Sequence, residues 1–345
     1  MFETVPHADE AIRGAALRRL DSLTKPLGAL GRLEPLAAQA CAAQRTLEPV
    51  IAHPVALVFA ADHGIADRGV SAYPRAVTAQ MVKNFLSGGA AISVLARQQA
   101  IELWIVDAGV DGDCGSHPRL IDAKVRRGTR DLAAEAAMSE AECRQALERG
   151  RDLIDRLVPS GGNTVLLGEM GIGNTAAAAL LMHGLTDLPL ADCVGRGTGL
   201  DDAGLERKRA VLASAFRRRP PPQDPIELLA EFGGYEIAML VGAVMGAAAR
   251  RHLIIVDGFT VTVAAALAAR IEPKVLDYCI FGHCSAEHAH RALLAYLSVQ
   301  PLLDIGMRLG EGSGAAVALS VVRAAVALFT GMATFEGAGV SEKTA

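Results

Sequence analysis

Three glycine-rich segments carry residues suited to proton transfer or anion binding. In Met307-Arg308-Leu309-Gly310-Glu311-Gly312-Ser313-Gly314 a single carboxylate is flanked by glycines and followed by a strongly apolar run. Glu311 is either a first-turn acid stabilised by a helix dipole, or a group held in an apolar cleft, where desolvation raises its pKa and makes it a useful base. Gly168-Glu169-Met170-Gly171-Ile172-Gly173-Asn174-Thr175 lies between an apolar strand-like run and an Ala-rich stretch. There the glycines let backbone amides approach a phosphate at a helix start, unless Asn174 or Thr175 simply caps the helix. No Lys-Ser or Lys-Thr follows the last glycine, and the GxGxxG spacing is absent, so neither a P-loop nor a dinucleotide fingerprint is present.

The third segment, Val194-Gly195-Arg196-Gly197-Thr198-Gly199-Leu200, precedes a charged helix with Arg207, Lys208 and Arg209. Lys208 can neutralise a phosphate, or belong to a solvated basic face. His63, His283, His288 and His290 invite a metal reading, but packed, hydrogen-bonded histidines are the commoner case. A helix over His288-Ala289-His290 puts the two imidazoles on different faces. Cys284 beside Ser285 has no GxSxG elbow and no acid-base partner at a recognisable spacing, which marks it as structural. We therefore expect no metal.

These segments need a scaffold. Short apolar runs recur, each ending in a polar or glycine-rich turn: Val55 to Ala61, Leu103 to Val106, Thr164 to Leu167, Leu253 to Val256 and Tyr278 to Phe281. Continuous apolar strands followed by helices predict a doubly wound α/β fold, its mostly parallel sheet covered by helices on both faces, with ligands at the carboxyl ends of the strands. Helices are expected from Asp9 to Leu23, Leu30 to Arg45 and Ser313 to Phe329, with a turn at Lys25-Pro26-Leu27-Gly28 and a surface breaker from Arg217 to Pro225. The apolar run Ile237 to Ala249 is shorter than the roughly 20 residues that a membrane span needs and reads as a buried helix.

The 345 residues suffice for one large domain with a small satellite. Aromatics make up only 4% while glycines number 35, a balance that fits closely packed helices and tight turns. A net charge of -4 gives no general footprint for nucleic acid. Six scattered cysteines without a CxxC pair suit reduced thiols in a cytoplasmic protein. The first 23 residues, acidic early and without an apolar core, do not read as a secretory signal.

The blocks LDSLTKPLGALGRLE, ADHGIADRGVSAYP, VDAGVDGD, LLGEMGIGNT, VDGF, GHCSAEHAH and MRLGEGSGAA occur in this order from Leu20 to about Ser341. Together they resemble the nicotinate-nucleotide:dimethylbenzimidazole phosphoribosyltransferase family. The resemblance implies a large domain over 50–300 and a small helical domain from both chain ends, 1–49 with 301–345, that completes the active site. It also implies a homodimer, no cofactor, and nicotinate mononucleotide and a benzimidazole-type base as partners. By motif position Glu311 matches the family's catalytic base, and Tyr73, Pro74, Met81, Met170 and Leu309 fall on its benzimidazole pocket. Glu169, Gly171, Gly173, Asn174, Thr175, Lys208 and Ser285 fall where the phosphoribosyl group is held, Glu169 nearer the ribose. Tyr73 replaces a small Ser and Met81 a Gln found in some members, which bears on the identity of the accepted base.

The implied chemistry needs few groups. Loss of nicotinate neutralises the pyridinium ring, so no acid is required for departure. The incoming benzimidazole attacks through one ring nitrogen and sheds a proton from the other, so one carboxylate suffices. Direct displacement inverts the anomeric carbon and calls for no enzyme nucleophile.

Overall fold

The computed structural model describes residues 3–341 apart from 187 and 198. Six parallel strands form one sheet in the order β3-β2-β1-β4-β5-β6. They are β1 (Val55–Ala61), β2 (Glu102–Gly109), β3 (Leu120–Asp122), β4 (Thr164–Met170), β5 (Leu253–Val256) and β6 (Cys279–Phe281). Every residue of β1 and β5 is buried, as expected of apolar strands sandwiched between helix layers. β1 pairs with both β2 and β4, so the chain reverses its direction of winding between these two neighbours. A crevice opens at such a switch point, beyond the carboxyl ends of the strands. Short β3 was not expected from sequence: only Ile121 in it is buried.

The helices are α1 (Glu10–Ser22), α2 (Leu33–Gln44), α3 (Ala76–Leu86), α4 (Ala91–Gln98), α5 (Glu140–Leu157), α6 (Asn174–Leu185), α7 (Leu190–Cys193), α8 (Asp202–Arg218), α9 (Pro225–Phe232), α10 (Tyr235–Ala249), α11 (Phe259–Ile271), α12 (His290–Tyr296), α13 (Ser313–Gly331) and α14 (Phe335–Ala338). α10 is the buried helix expected over Ile237 to Ala249, and it packs on α5 and α11. The breaker from Arg217 to Pro225 does separate two helices, α8 and α9.

From the two chain ends, α1 packs on α2 and α2 on α13. The turn between α1 and α2 is pinned by a buried Lys25–Glu34 ion pair at 2.9 Å. α2 also shields the outer sheet edge: Gln39 donates to the carbonyls of Asp277 and Cys279, occupying acceptors that an exposed edge strand would leave open. α13 is long and apolar enough to cross a membrane by length and composition. Its apolar residues are matched by contacts with α2, α4, β4 and β5, which make it a core helix.

Candidate active site

The glycine segment after β4 turns into α6 through Gly173, whose φ of +99° is a left-handed conformation that glycine adopts without strain. Ile172 N donates to the Thr78 hydroxyl at 3.1 Å, fastening the segment to α3. Asn174 donates from its side-chain amide to the Glu169 carboxylate. Thr175 Oγ1 accepts from Lys208 Nζ at 2.9 Å, and the same ammonium reaches the Gly195 carbonyl at 3.1 Å. Lys208, on α8, is fully buried. Burial pushes its pKa down to about 8, opposed by the charge of Glu287. A buried ammonium between two glycine segments and the amides at the start of α6 compose an anion cradle.

Glu311 lies in the glycine loop before α13. Residues 310, 311 and 312 all have positive φ (80°, 65° and 82°), a conformation uncommon for a glutamate and maintained here by its surroundings. The loop lies directly against β4: a Cβ on Gly168 would stand 2.4 Å from Gly312 N. Buried Asp257, at the end of β5, accepts from Gly312 N at 3.0 Å and from Ala315 N at 2.9 Å, so it caps α13. The first turn of α13 holds no acid, and the first-turn reading of Glu311 is thereby corrected. Glu311 is 6% exposed. Burial, and secondarily the Asp257 charge, push its pKa up to about 7. Glu169 rises to about 8 through burial and the neighbouring Asp257 and Glu236, against the Asn174 bond. Two buried carboxyls, both raised well above the usual carboxylate range, therefore stand close enough to act on one another.

The cleft between these features is lined by Glu169, Met170, Gly171, Asn174, Thr175 and Leu309 among the residues singled out from sequence, with Gly258, Glu287, Arg308 and Gly310. Gly173, Lys208 and Ser285 stand behind this wall; Ser285 is buried, with its Cβ near Gly258. Tyr73, Pro74 and Met81 do not line it. Tyr73 and Pro74 lie in the exposed turn before α3, and Met81 lies half-buried on that helix.

Several supporting groups have partners that the sequence does not reveal, although His63 and His290 are the packed, hydrogen-bonded histidines expected. Asp257 was seen only as part of the VDGF block. His63 and Glu236, both fully buried, are hydrogen-bonded to one another behind Gly171 and Gly234. His290 Nδ1 accepts from Ser285 N at 2.8 Å, and its Nε2 lies 2.9 Å from the Thr262 hydroxyl. Burial drives the His290 pKa down to about 3, which leaves the ring neutral and able to accept that bond. The expected helix over 288–290 begins only at His290, because Ala289 is its N-cap and the preceding turn is fastened to His290 itself. Cys284 is buried and burial raises its pKa, the opposite of an activated nucleophile. Among the described residues no group of three or more His, Cys, Asp or Glu is placed to hold a metal ion.

A doubly wound sheet with an anion cradle and an elevated-pKa carboxyl gathered at the carboxyl ends of its strands suits transfer of a phosphorylated group. A family model described as phosphoribosyltransferase matches residues 5–340, and the protein is an enzyme of that class. Relatives carrying the name nicotinate-nucleotide:dimethylbenzimidazole phosphoribosyltransferase include one from Cupriavidus taiwanensis, 53% identical over 99% of this chain and 98% of its own. Another, from Parabacteroides distasonis, is 45% identical over 97% of each. The crystal structure of CobT from Thermus thermophilus superposes with a TM-score of 0.93 at 43% identity, over 96% of this chain and 100% of that one. The chain belongs to the nicotinate-nucleotide:dimethylbenzimidazole phosphoribosyltransferase family.

Proposed function

We propose that the protein transfers the 5-phosphoribosyl group of nicotinate mononucleotide to 5,6-dimethylbenzimidazole, giving α-ribazole 5′-phosphate and nicotinate for the lower ligand of cobalamin. The observation that carries this reading is the buried Glu311 carboxyl, its pKa pushed up to about 7, directly after Gly310 in the wall of the cleft that Thr175, the partner of Lys208, also lines. The 5′-phosphate sits in the cradle with Gly171, Gly173, Asn174 and Ser285 around it, and Glu169 lies toward the ribose. The acceptor stacks between Met170 and Leu309, and Tyr73, Pro74 and Met81, which stand outside the cleft of the single chain, are assigned to the same base by their motif positions. Glu311 takes the proton that the benzimidazole loses as its other nitrogen attacks the anomeric carbon. The bond to nicotinate breaks on the opposite face, so the configuration inverts in a single displacement. Orientation of two bound substrates supplies much of the rate, and a base with a pKa near the working pH supplies proton transfer. No cofactor takes part, because the departing pyridinium is its own electron sink.

The helices of 1–49 and 301–345 form the smaller unit that completes this site in a homodimer, and the six buried, unpaired thiols fit a reducing cytoplasm. The test is Glu311→Gln. Turnover falls by about a hundredfold or more, as expected on losing a general base, while the dissociation constant for nicotinate mononucleotide stays within about twofold. Undiminished turnover would remove Glu311 from the chemistry.

A further inference from the structure

The cleft holds more acid than base. Glu169, Glu287 and Gly310, next to Glu311, are part of its wall, and buried Asp257 and Glu236 lie behind. On the reading above, which this inference extends, the donor nucleotide brings two anionic groups: the 5′-phosphate and the ring carboxylate. The phosphate has Lys208. A second anion entering a partly desolvated, acid-rich cleft needs its own cation, since an unpaired charge there loses hydration without compensation.

Among the described residues that line the cleft, Arg308 is the sole cationic side chain. It is exposed, and among the described residues it makes no hydrogen bond or ion pair, so its guanidinium is available. The nearby cations are engaged: Arg196 donates to the Leu200 carbonyl at 2.9 Å and pairs with Asp202, and Arg209 pairs with Glu206 at 2.7 Å. The chain around Arg308 is held on both sides, by the bond from Ala286 N to Met307 O at 2.9 Å and by that from Ser313 N to Gly310 O at 3.0 Å. Arg308 also lines an adjoining cavity of about 670 Å³ that shares Gly197 and Glu287 with the cleft. Arg308 is therefore shared by the two spaces, while neighbouring Leu309 lines the cleft alone.

We propose that Arg308 recognises the carboxylate of the departing pyridine ring and so sets the preference for nicotinate over nicotinamide mononucleotide. The planar guanidinium suits bidentate pairing with a carboxylate and has nothing comparable to gain from a neutral carboxamide.

The experiment compares wild type, Arg308→Met and Arg308→Lys with both nucleotides at saturating 5,6-dimethylbenzimidazole. Loss of one charge-assisted pair lowers the wild-type preference ratio in kcat/KM by about tenfold to a hundredfold in Arg308→Met, with partial recovery in Arg308→Lys. Equal losses with both nucleotides, or no change with either, overturn the assignment. Calorimetric titration of each nucleotide keeps the two readings separable. Absence of product from wild type overturns the transferase reading, whereas Arg308 is then judged by whether its loss weakens binding of the nicotinate nucleotide selectively.

Discussion

Replacing Glu311 by Gln is expected to stabilise the substrate-free protein at alkaline pH. The Glu311 carboxyl rises from 4.5 to about 7 on folding, with burial the first cause and Asp257 the second. A raised acid favours the folded state below the unfolded pKa, where it is neutral in both states. That advantage is lost as pH climbs from 4.5 through about 7, because the unfolded chain releases the proton first. Between about pH 5 and pH 8.5 the unscreened loss is roughly 2.5 kcal/mol. Solvent reaching the carboxylate through the cleft reduces this to about 1 kcal/mol. Gln cannot ionise, so the variant escapes the loss, and removing the Glu311 charge that helps raise Glu169 moves the difference in the same direction. Urea unfolding at the two pH values measures it. The variant gains about 1 kcal/mol on wild type as the pH is raised; a difference that does not depend on pH would refute the burial of an ionising carboxyl here.

Other perturbations reach the same loop and cradle. kcat/KM for the nucleotide rises as Glu311 ionises near pH 7 and falls as Lys208 loses its proton near pH 8, and Lys208→Met, though slow, removes the alkaline limb of that profile. Asp257→Asn costs about 1–2 kcal/mol of stability through the α13 cap, and it moves the acidic limb to lower pH because the Asp257 charge raises Glu311; a limb that stays or moves upward contradicts the coupling. Gly168→Ala drives a methyl group into the backbone of 311–312, and both thermal stability (about 2 kcal/mol or more) and turnover drop; a fully active, fully stable variant means that the loop does not rest on β4.

Strands that are apolar throughout were readable to the residue: β1 and β5 run as expected, since burial on both faces leaves no room for polar positions. β3 was missed because three residues with one buried side chain make no pattern, and its pairing with β2 comes from the sheet already assembled. The three glycine segments stood out because close backbone approach needs glycine whatever the fold. Their partners did not. His63 and Glu236 are 173 residues apart, and Asp257 reaches Gly312 across 55. Such pairings exist only once β1, β4 and β5 bring their carboxyl ends together, and a buried Asp that caps a distant helix looks in sequence like any acid after a strand. Exposure is hidden for the same reason: the sequence offers no sign that Arg308 lacks a partner while Arg196 has two.

The most direct test of the proposed chemistry is to incubate the purified protein with nicotinate mononucleotide, with and without 5,6-dimethylbenzimidazole, and to follow nicotinate and the riboside phosphate by chromatography that resolves the anomers. α-Ribazole 5′-phosphate formed together with nicotinate, and only when the base is present, is the expected result. Nicotinate released at the same rate without the base, a β-anomer, or no product at all contradicts a single inverting transfer assisted by Glu311.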